Sequence, residues 1–217
     1  MTAQRRTRSS HPRVIAVAGN IGAGKSSLVA WLERQLGAVP FFEPNDDNPY
    51  LSDFYGDMQR WSLHSQLFFL IRKFRIHKEI DARLGEVGAP IVQDRTIYED
   101  AEIFAAHLHR AGHLSARDWG MYQDLYQTLR SELRPPDLMV YLRCPVPTLV
   151  RRIKKRGRDF EQSIPRAYLR ALDVLYEEWL RRYDASEVLV VETDRVDYVE
   201  DLFDRHELLE TIRTKLG

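Results

Sequence analysis

A single cysteine, Cys144, stands in a chain of 217 residues, so no intramolecular disulfide can form. Cysteine this scarce suits a reducing compartment, and the cytoplasm is the expected location. No apolar run reaches the ~18 residues of a membrane-spanning helix. The run "VIAVAG" breaks into a glycine turn and does not read as a secretory leader. Excess charge of one sign is missing too, because 32 Lys+Arg offset 32 Asp+Glu. That balance removes any global attraction to nucleic acid or a membrane surface. Internal repeats and low-complexity linkers are absent, and the length suffices for one well-buried core, so a single domain is expected. No Asn-Lys-x-Asp tetrad occurs, which argues against a guanine-reading switch. Zinc-like spacing is lacking: His107 and His109 fall on different helix faces, and Gly112 separates His113 from both.

What charge there is lies unevenly. Arg5, Arg6, Arg8 and Arg13 meet no acid in the first 13 residues, so residues 14–217 carry 28 basic against 32 acidic groups. Residues 1–12 read as a disordered basic tail, either solvated or a nucleic-acid arm, and residues 13–217 as the folded domain. Within that domain short β-branched runs alternate with helical patterns. Strands are expected at 13–18, 39–42, 90–94, 138–142 and 188–192, with few polar residues inside, as in a parallel sheet covered on both faces. Helical periodicity links Leu28, Trp31, Leu32 and Leu36, then Leu169, Leu172, Tyr176 and Trp179, then Val199, Leu202, Phe203, Leu209 and Ile212. One long aromatic-rich helix is expected over 50–84 and another over 115–133, stopped by Pro135-Pro136.

Between the first strand and the first helix stands Gly19-Asn20-Ile21-Gly22-Ala23-Gly24-Lys25-Ser26, followed by Ser27. It fits G-x-x-x-x-G-K-[ST], a match that arises by chance in roughly one chain in a hundred of this size at average glycine usage. Glycines there let backbone N–H groups turn inward as an anion nest at a helix N-terminus. Lys25 would neutralise the β- and γ-phosphates, and the Ser26 hydroxyl would ligate Mg²⁺. Nucleoside-triphosphate binding follows. The expected fold is therefore α/β: a three-layer P-loop domain, its sheet of at least five parallel strands flanked by helices.

Other charged groups fall at strand ends, the edge where ligands bind in such sheets. Glu43 follows the second strand and is either a proton acceptor for an attacking hydroxyl or a capping, solvated acid. Asp94 and Arg95 end the third strand. Asp94 can hold Mg²⁺ through water, and Arg95 can steady Glu43 or the transferring group; a surface ion pair is the other reading. The run "RRIKKRGRDFEQSIP" (151–165) is either a solvated face or a lid over about 154–164. A P-loop favours the lid, with Arg152, Arg156 and Arg158 folding guanidinium groups over the phosphates.

Six separated motifs then converge: "GNIGAGKSSL", "EP" at Glu43-Pro44, "YGDMQRWSLHSQ", "DRTIYEDAEIF", "YQDLY" and "RIKKRGRDFEQSIPRAYL". With them, over nearly the whole chain from Val14, the sequence resembles the deoxyribonucleoside kinases, and among them the bacterial deoxyadenosine, deoxyguanosine and deoxycytidine kinases. The resemblance implies a three-layer α/β P-loop kinase, with a five-stranded parallel sheet flanked by helices and a short arginine-rich lid, that transfers the γ-phosphate of ATP, with Mg²⁺, to the 5′-hydroxyl of a deoxynucleoside. It makes Glu43 the general base and Arg95 its partner, with Lys25 on the donor phosphates. Tyr55 and Glu161 would hold the sugar 3′-hydroxyl, Gln66 and Asp100 would read the base edge with Lys73 beside them, and Trp61 and Phe104 would wall the base. Asp197 and Tyr198 would embrace the ATP adenine. The resemblance also implies a homodimer, and neither a nucleic-acid nor a membrane partner is expected. Departures are "DRT" where animal relatives often carry Glu-Arg-Ser, Lys73 for an arginine, and Ser65 for a pocket aromatic. Gln66 suits adenine and cytosine alike, while the smaller Ser65 leaves room for a purine, so deoxyadenosine is the expected substrate, with deoxycytidine or deoxyguanosine beside it. The rival readings are a thymidylate-like nucleoside-monophosphate kinase and a non-catalytic nucleotide-binding relative. The first needs cations for an acceptor phosphate, yet residues 50–66 offer only Arg60. The second predicts eroded catalytic positions, and Lys25, Ser26, Glu43 and Arg95 are all present.

Overall fold

Strand β1 (Val14–Gly19) is buried at all six residues, because its alternating side chains feed two cores at once. A computed structural model describes residues 13–42, 48–84, 86, 88–162, 164–194 and 202–216 of the chain. The five strands lie parallel in the order β2 (Val39–Phe41), β3 (Ile91–Asp94), β1, β4 (Leu138–Arg143) and β5 (Glu187–Glu192). Each falls within one residue of its expected bounds at either end. The expected tail at 1–12 lies outside the described residues.

One core takes Ile15 and Val17 with Leu28, Val29 and Leu32 of helix α1 (Lys25–Leu36), and with Leu149, Ile153 and Ile212 further along the chain. The other takes Ala16 and Ala18 with Leu70, Ile103, Tyr122, Tyr141, Tyr176 and Trp179. Alanine on this second face leaves room for the large rings, and Tyr141 and Tyr176 stack there at 5.6 Å. Helices on both faces make the three layers expected.

All strand C-termini share one edge. The register pairs Val17 with Asp94 and Gly19 with Leu142, so the turns after β1, β3 and β4 emerge side by side. From β1 the order runs outward to β3 and β2 on one side and to β4 and β5 on the other, which places a topological switch point at Gly19.

Two expectations change. The helix expected over 50–84 is divided into α2 (Leu51–Gly56) and α3 (Met58–Arg83). Asp57 at the division adopts φ −145° and ψ 84°, and its side chain accepts from the Arg60 N–H, so a cap competes successfully with helix continuation. The final helix, Leu202–Leu216, buries Leu208, Leu209 and Ile212 but leaves Phe203 88% exposed. Phe203 lies six positions before Leu209, off the face that the buried positions define.

After β3 the chain forms one helical run: α4 (Ile97–Glu99), a π-wound segment (Asp100–Ala105) and α5 (Ala106–Arg110). Helix α6 (Ala116–Ser131) starts at a Ser115 cap, α7 (Val146–Arg156) ends at Gly157 with φ 73°, α8 is Asp159–Gln162, and α9 is Arg166–Leu180. His107 meets Tyr168 edge-on, and His109 stacks on Trp119. Among the described residues no group of three or more His, Cys, Asp or Glu could hold a metal ion, and no helix is long and apolar enough to cross a membrane.

His77 on α3 is buried beneath the turn after β3, and its Nε2 accepts, at a long 3.5 Å, from the Ile97 N–H. Burial, and then the charge of Lys73, push its pKa down from 6.5 to about 3. The unfolded chain therefore binds the extra proton between those values, and stability falls as the pH drops from 6.5 toward 3. Between pH 7.5 and pH 5 this one group should remove about 2 kcal/mol. Urea unfolding of the wild type and His77→Gln across that range should show a shallower slope in the variant by that amount; equal slopes would mean His77 titrates as in water.

Candidate active site

The turn after β1 is shaped by groups that leave no choice of residue. Gly19 has φ 148°, and a Cβ there would sit 2.9 Å from the Leu142 carbonyl oxygen. Gly22, at φ 81°, would drive a Cβ to 2.9 Å from Ile153 on α7. Asn20 ties the loop down: Nδ2 donates to the Leu169 carbonyl on α9, and Oδ1 accepts from the Ile21 N–H. Ala23 N–H closes the turn on the Asn20 carbonyl. Gly24 then caps α1 in a left-handed conformation, and no acid stands in the first turn of α1, which keeps the positive end of its dipole for an outside anion. Lys25 is buried, and Nζ donates to the Gly19 and Asn20 carbonyls at 2.9 and 3.1 Å, so its charge lies inside the loop. Ser26 and Ser27 follow at the exposed start of the helix.

The Ser26 hydroxyl donates to Asp94 Oδ2 at 2.6 Å, while Asp94 Oδ1 is buried without a hydrogen-bond partner among the described residues. A hydroxyl and an unspent carboxylate oxygen at the mouth of a phosphate loop form a hard-oxygen set that fits Mg²⁺.

Arg95 adopts φ 61° and is the one non-glycine residue with positive φ among those described. Its backbone is held from two sides: its N–H donates to the Val17 carbonyl at 2.9 Å, and Lys73 Nζ donates to the Asp94 and Arg95 carbonyls at 2.9 and 3.2 Å. Lys73, expected beside the base-reading Asp100, is 0% exposed and stands beneath this strand end. The Arg95 guanidinium donates to the Gly19 carbonyl at 3.3 Å and lies 4.4 Å above the Phe104 ring. Thus the expected arginine, the P-loop lysine and one expected aromatic wall meet around one peptide.

Glu99 joins them and was not anticipated. It is wholly buried; Oε1 accepts from the Gly19 N–H at 3.2 Å and the Tyr176 hydroxyl at 2.8 Å, and lies 3.5 Å from Arg95 Nε, while Oε2 accepts from the Thr96 N–H. Burial pushes its carboxyl up, and the charges of Arg95 and Lys25 pull it back. The sequence signal was present as Thr96-Ile97-Tyr98-Glu99, a capping-box pattern. That pattern announces a helix start and says nothing of the phosphate loop.

The π-wound segment carries Asp100 and Phe104, both buried. Such windings recur at functional sites because the extra residue per turn re-aims side chains. Helix α3 supplies Gln66, only 4% exposed, whose Oε1 has no hydrogen-bond partner among the described residues. The Tyr122 hydroxyl is in the same condition, and burial together with the Asp100 charge pushes it well above the usual phenol range. Trp61 stacks on Tyr50 at 5.6 Å and touches His64, while Arg60 lies over its ring. Tyr55 packs edge-on to Phe54, and the Tyr168 hydroxyl, pushed up by burial, is influenced by both Tyr55 and Arg95. Ser65 is fully buried and accepts from Asn48 Nδ2 at 3.0 Å, so Asn48 occupies part of the space that the small side chain leaves.

The three lid arginines differ in their partners. Arg152 donates to the carbonyls of Ala23 and Thr193 and to the Thr193 hydroxyl, strutting the loop against the end of β5. Arg156 donates to Glu161 Oε2 through Nε and Nη2, and Arg158 lies 3.6 Å from Glu161 Oε1. The expected sugar carboxylate and two lid cations are therefore one cluster. Glu43, Asp197 and Tyr198 lie outside the described residues.

Comparison with known proteins gives the chain's relatives. The family model described as Deoxynucleoside kinase matches residues 15–216. The chain is 36% identical over 190 residues to the deoxyadenosine/deoxycytidine kinase of Bacillus subtilis, covering 87% of this chain and 86% of that one. It is 34% identical over 219 residues to a deoxyadenosine kinase of Lactobacillus acidophilus, covering 94% and 96%, and 35% identical over 212 to a deoxyguanosine kinase of the same organism, covering 94% and 90%. The solved structure of M. mycoides deoxyadenosine kinase with bound dATP superposes with a TM-score of 0.80 at 28% identity, covering 93% of this chain and 99% of that one.

Gly19→Ala should destabilise the protein by about 2–4 kcal/mol, since the added Cβ meets a backbone oxygen that cannot yield. Gly120→Ala, within α6 where nothing lies within 4 Å, should instead stabilise by about 0.5–1 kcal/mol. Urea unfolding checks both, and equal effects would show that the turn at Gly19 accommodates a side chain.

Proposed function

Since the chain belongs to the deoxynucleoside kinase family, we propose that it transfers the γ-phosphate of ATP to the 5′-hydroxyl of a deoxyribonucleoside in nucleotide salvage, with deoxyadenosine the favoured acceptor. The observation that carries this is the meeting of Lys25 and Arg95 at the Gly19 carbonyl, which brings a donor-phosphate cation and the strand-end arginine to one point.

A primary alcohol is a weak nucleophile, so it needs orientation, a proton acceptor and neutralised phosphoryl charge. Glu43 is assigned the proton of the 5′-hydroxyl, and Arg95 aligns that carboxylate with the reacting oxygen. Lys25, with Arg156 and Arg158, carries the charge on the donor phosphates. Ser26 and Asp94 would hold Mg²⁺, which when bound neutralises phosphate oxygens. Tyr55 and Glu161 are assigned the 3′-hydroxyl, and Trp61 and Phe104 the faces of the base. Arg156 and Arg158 already share Glu161, so sugar binding and lid position would be linked through one carboxylate. Asp197 and Tyr198 are assigned the adenine of ATP. A cytoplasmic homodimer is the expected working form.

Gln66 supports the choice of base. A buried amide oxygen without a donor is costly, and the exocyclic amine of adenine or cytosine can supply that donor; thymine carries no amine and offers only its ring N3–H. Asp100 would accept from the same kind of group, and Lys73 would act on the base only through the strand end it holds. The relatives carry names for adenine, cytosine and guanine nucleosides, all of which bear an exocyclic amine, so the preference for deoxyadenosine among them rests on the room for a purine beside the small Ser65.

A coupled assay with ATP, Mg²⁺ and each of the four deoxynucleosides should give the highest kcat/KM for deoxyadenosine; thymidine as the best substrate would overturn the base assignment. Glu43→Gln should lower kcat by about 10²–10⁴-fold while ATP binding persists. Full turnover in that variant would remove Glu43 from the proton-accepting role.

A further inference from the structure

We propose that Glu99 and Tyr176 are positioning residues for phosphoryl transfer, holding Lys25 and Arg95 in register through the Gly19 peptide and taking over its carbonyl when Lys25 turns to phosphate. The proposal rests on the kinase reading above.

Gly19 is gripped through both of the peptide groups that flank its Cα. Its N–H donates to Glu99 Oε1 at 3.2 Å, and its carbonyl receives Lys25 Nζ at 2.9 Å, the Tyr176 hydroxyl at 2.8 Å and Arg95 Nη2 at 3.3 Å. A carbonyl oxygen has two lone pairs, so three donors, two of them cations, exceed what it can serve at full strength. Tyr176 meets the same limit from the other side. Its oxygen lies 2.8 Å from the Gly19 carbonyl and 2.8 Å from Glu99 Oε1, yet the hydroxyl has one proton to give. It therefore serves either the carboxylate or the carbonyl.

These two limits resolve together. While Lys25 serves the carbonyl, the Tyr176 proton belongs to Glu99. A triphosphate draws the Lys25 ammonium off the loop carbonyls, and Tyr176 then turns its proton to Gly19, so the peptide keeps a donor and the turn keeps its place. Glu99, freed of that bond, has Arg95 Nε at 3.5 Å to strengthen against. The arginine needed on the acceptor side is thus firmest when the lysine is engaged on the donor side. Glu99 also places one negative charge between two buried cations whose mutual repulsion would otherwise spread the site. A carboxylate with no access to solvent and four protein donors around it is suited to orienting those groups and has no route to the substrate itself.

The test is a kinetic cycle of Glu99→Gln, Tyr176→Phe and the double variant, beside the wild type, at a temperature where each is folded by circular dichroism. Tyr176→Phe keeps the ring that stacks on Tyr141, so it decides the matter alone should Glu99→Gln fail to fold. Glu99→Gln should lower kcat by about 10–100-fold with the deoxynucleoside KM within about threefold, the signature of misplaced reacting groups. Tyr176→Phe should lower kcat by about 5–10-fold with the same split. The double variant should lose far less than the product of the two, because both act through one carbonyl. Folded variants with kcat within twofold of wild type, or a multiplicative double, would overturn the proposal. An inert wild type would instead overturn the kinase reading.

Discussion

Gly19 sits at the end of the central strand β1, where the order of the parallel sheet runs outward to both sides, and a loop, two buried cations, a buried acid and a tyrosine all take their positions from it. Its location follows from β1, whose residues alternate between two cores and cannot slide by one without turning Ile15 and Val17 onto the wrong face. Hydrophobic pairing thus sets the register, and the register sets where the phosphate loop begins. Hydrogen bonds then refine by tenths of an ångström a position that apolar burial has already chosen.

Arg95 shows how the same edge tolerates strain. A left-handed non-glycine residue costs about 1–3 kcal/mol unless neighbouring groups over-determine it. Here the Val17 carbonyl, the Lys73 ammonium, the Gly19 carbonyl, Glu99 and the Phe104 ring each fix a different part of the residue. With the backbone turned this way, the side chain lies back over β1 toward Gly19. Burying Lys73 is costly in itself, and that cost is offset because its ammonium donates to the Asp94 and Arg95 carbonyls.

Much of this was legible in the residues. Continuous apolar runs placed all five strands within a residue: β1, β3 and β4 are buried on both faces, and the less buried β2 and β5 keep the same run of apolar residues between their ends. The glycine pattern gave the phosphate loop because each glycine answers a local demand, as the clash at Leu142 for Gly19 and at Ile153 for Gly22 makes plain. Glu99 was not legible, since its capping pattern with Thr96 explains it fully at short range and its bonds to Gly19 and Tyr176 span 80 and 77 residues. Arg152 was legible as one cation of a lid run, whereas its partners at Ala23 and Thr193 depend on how α7 meets β5. Charge runs carry no pairing information; only the fold assigns partners.

The π winding of Asp100–Ala105 bears on the same question from the substrate side. A straight α-helix starting at Thr96 would set Glu99 and Phe104 about 140° apart around the axis, because five residues advance the helix by 500°. Widening the turn within that interval changes the angle, and in this protein it lets one run of chain send Glu99 inward to Gly19 while Phe104 faces the Arg95 guanidinium. Glu99 and Phe104 thus hold the arginine on two sides, one by charge and one by the face of a ring. A reversion to α-winding would keep every residue and still lose that grip, which makes the irregular helix part of the site as much as the side chains it carries.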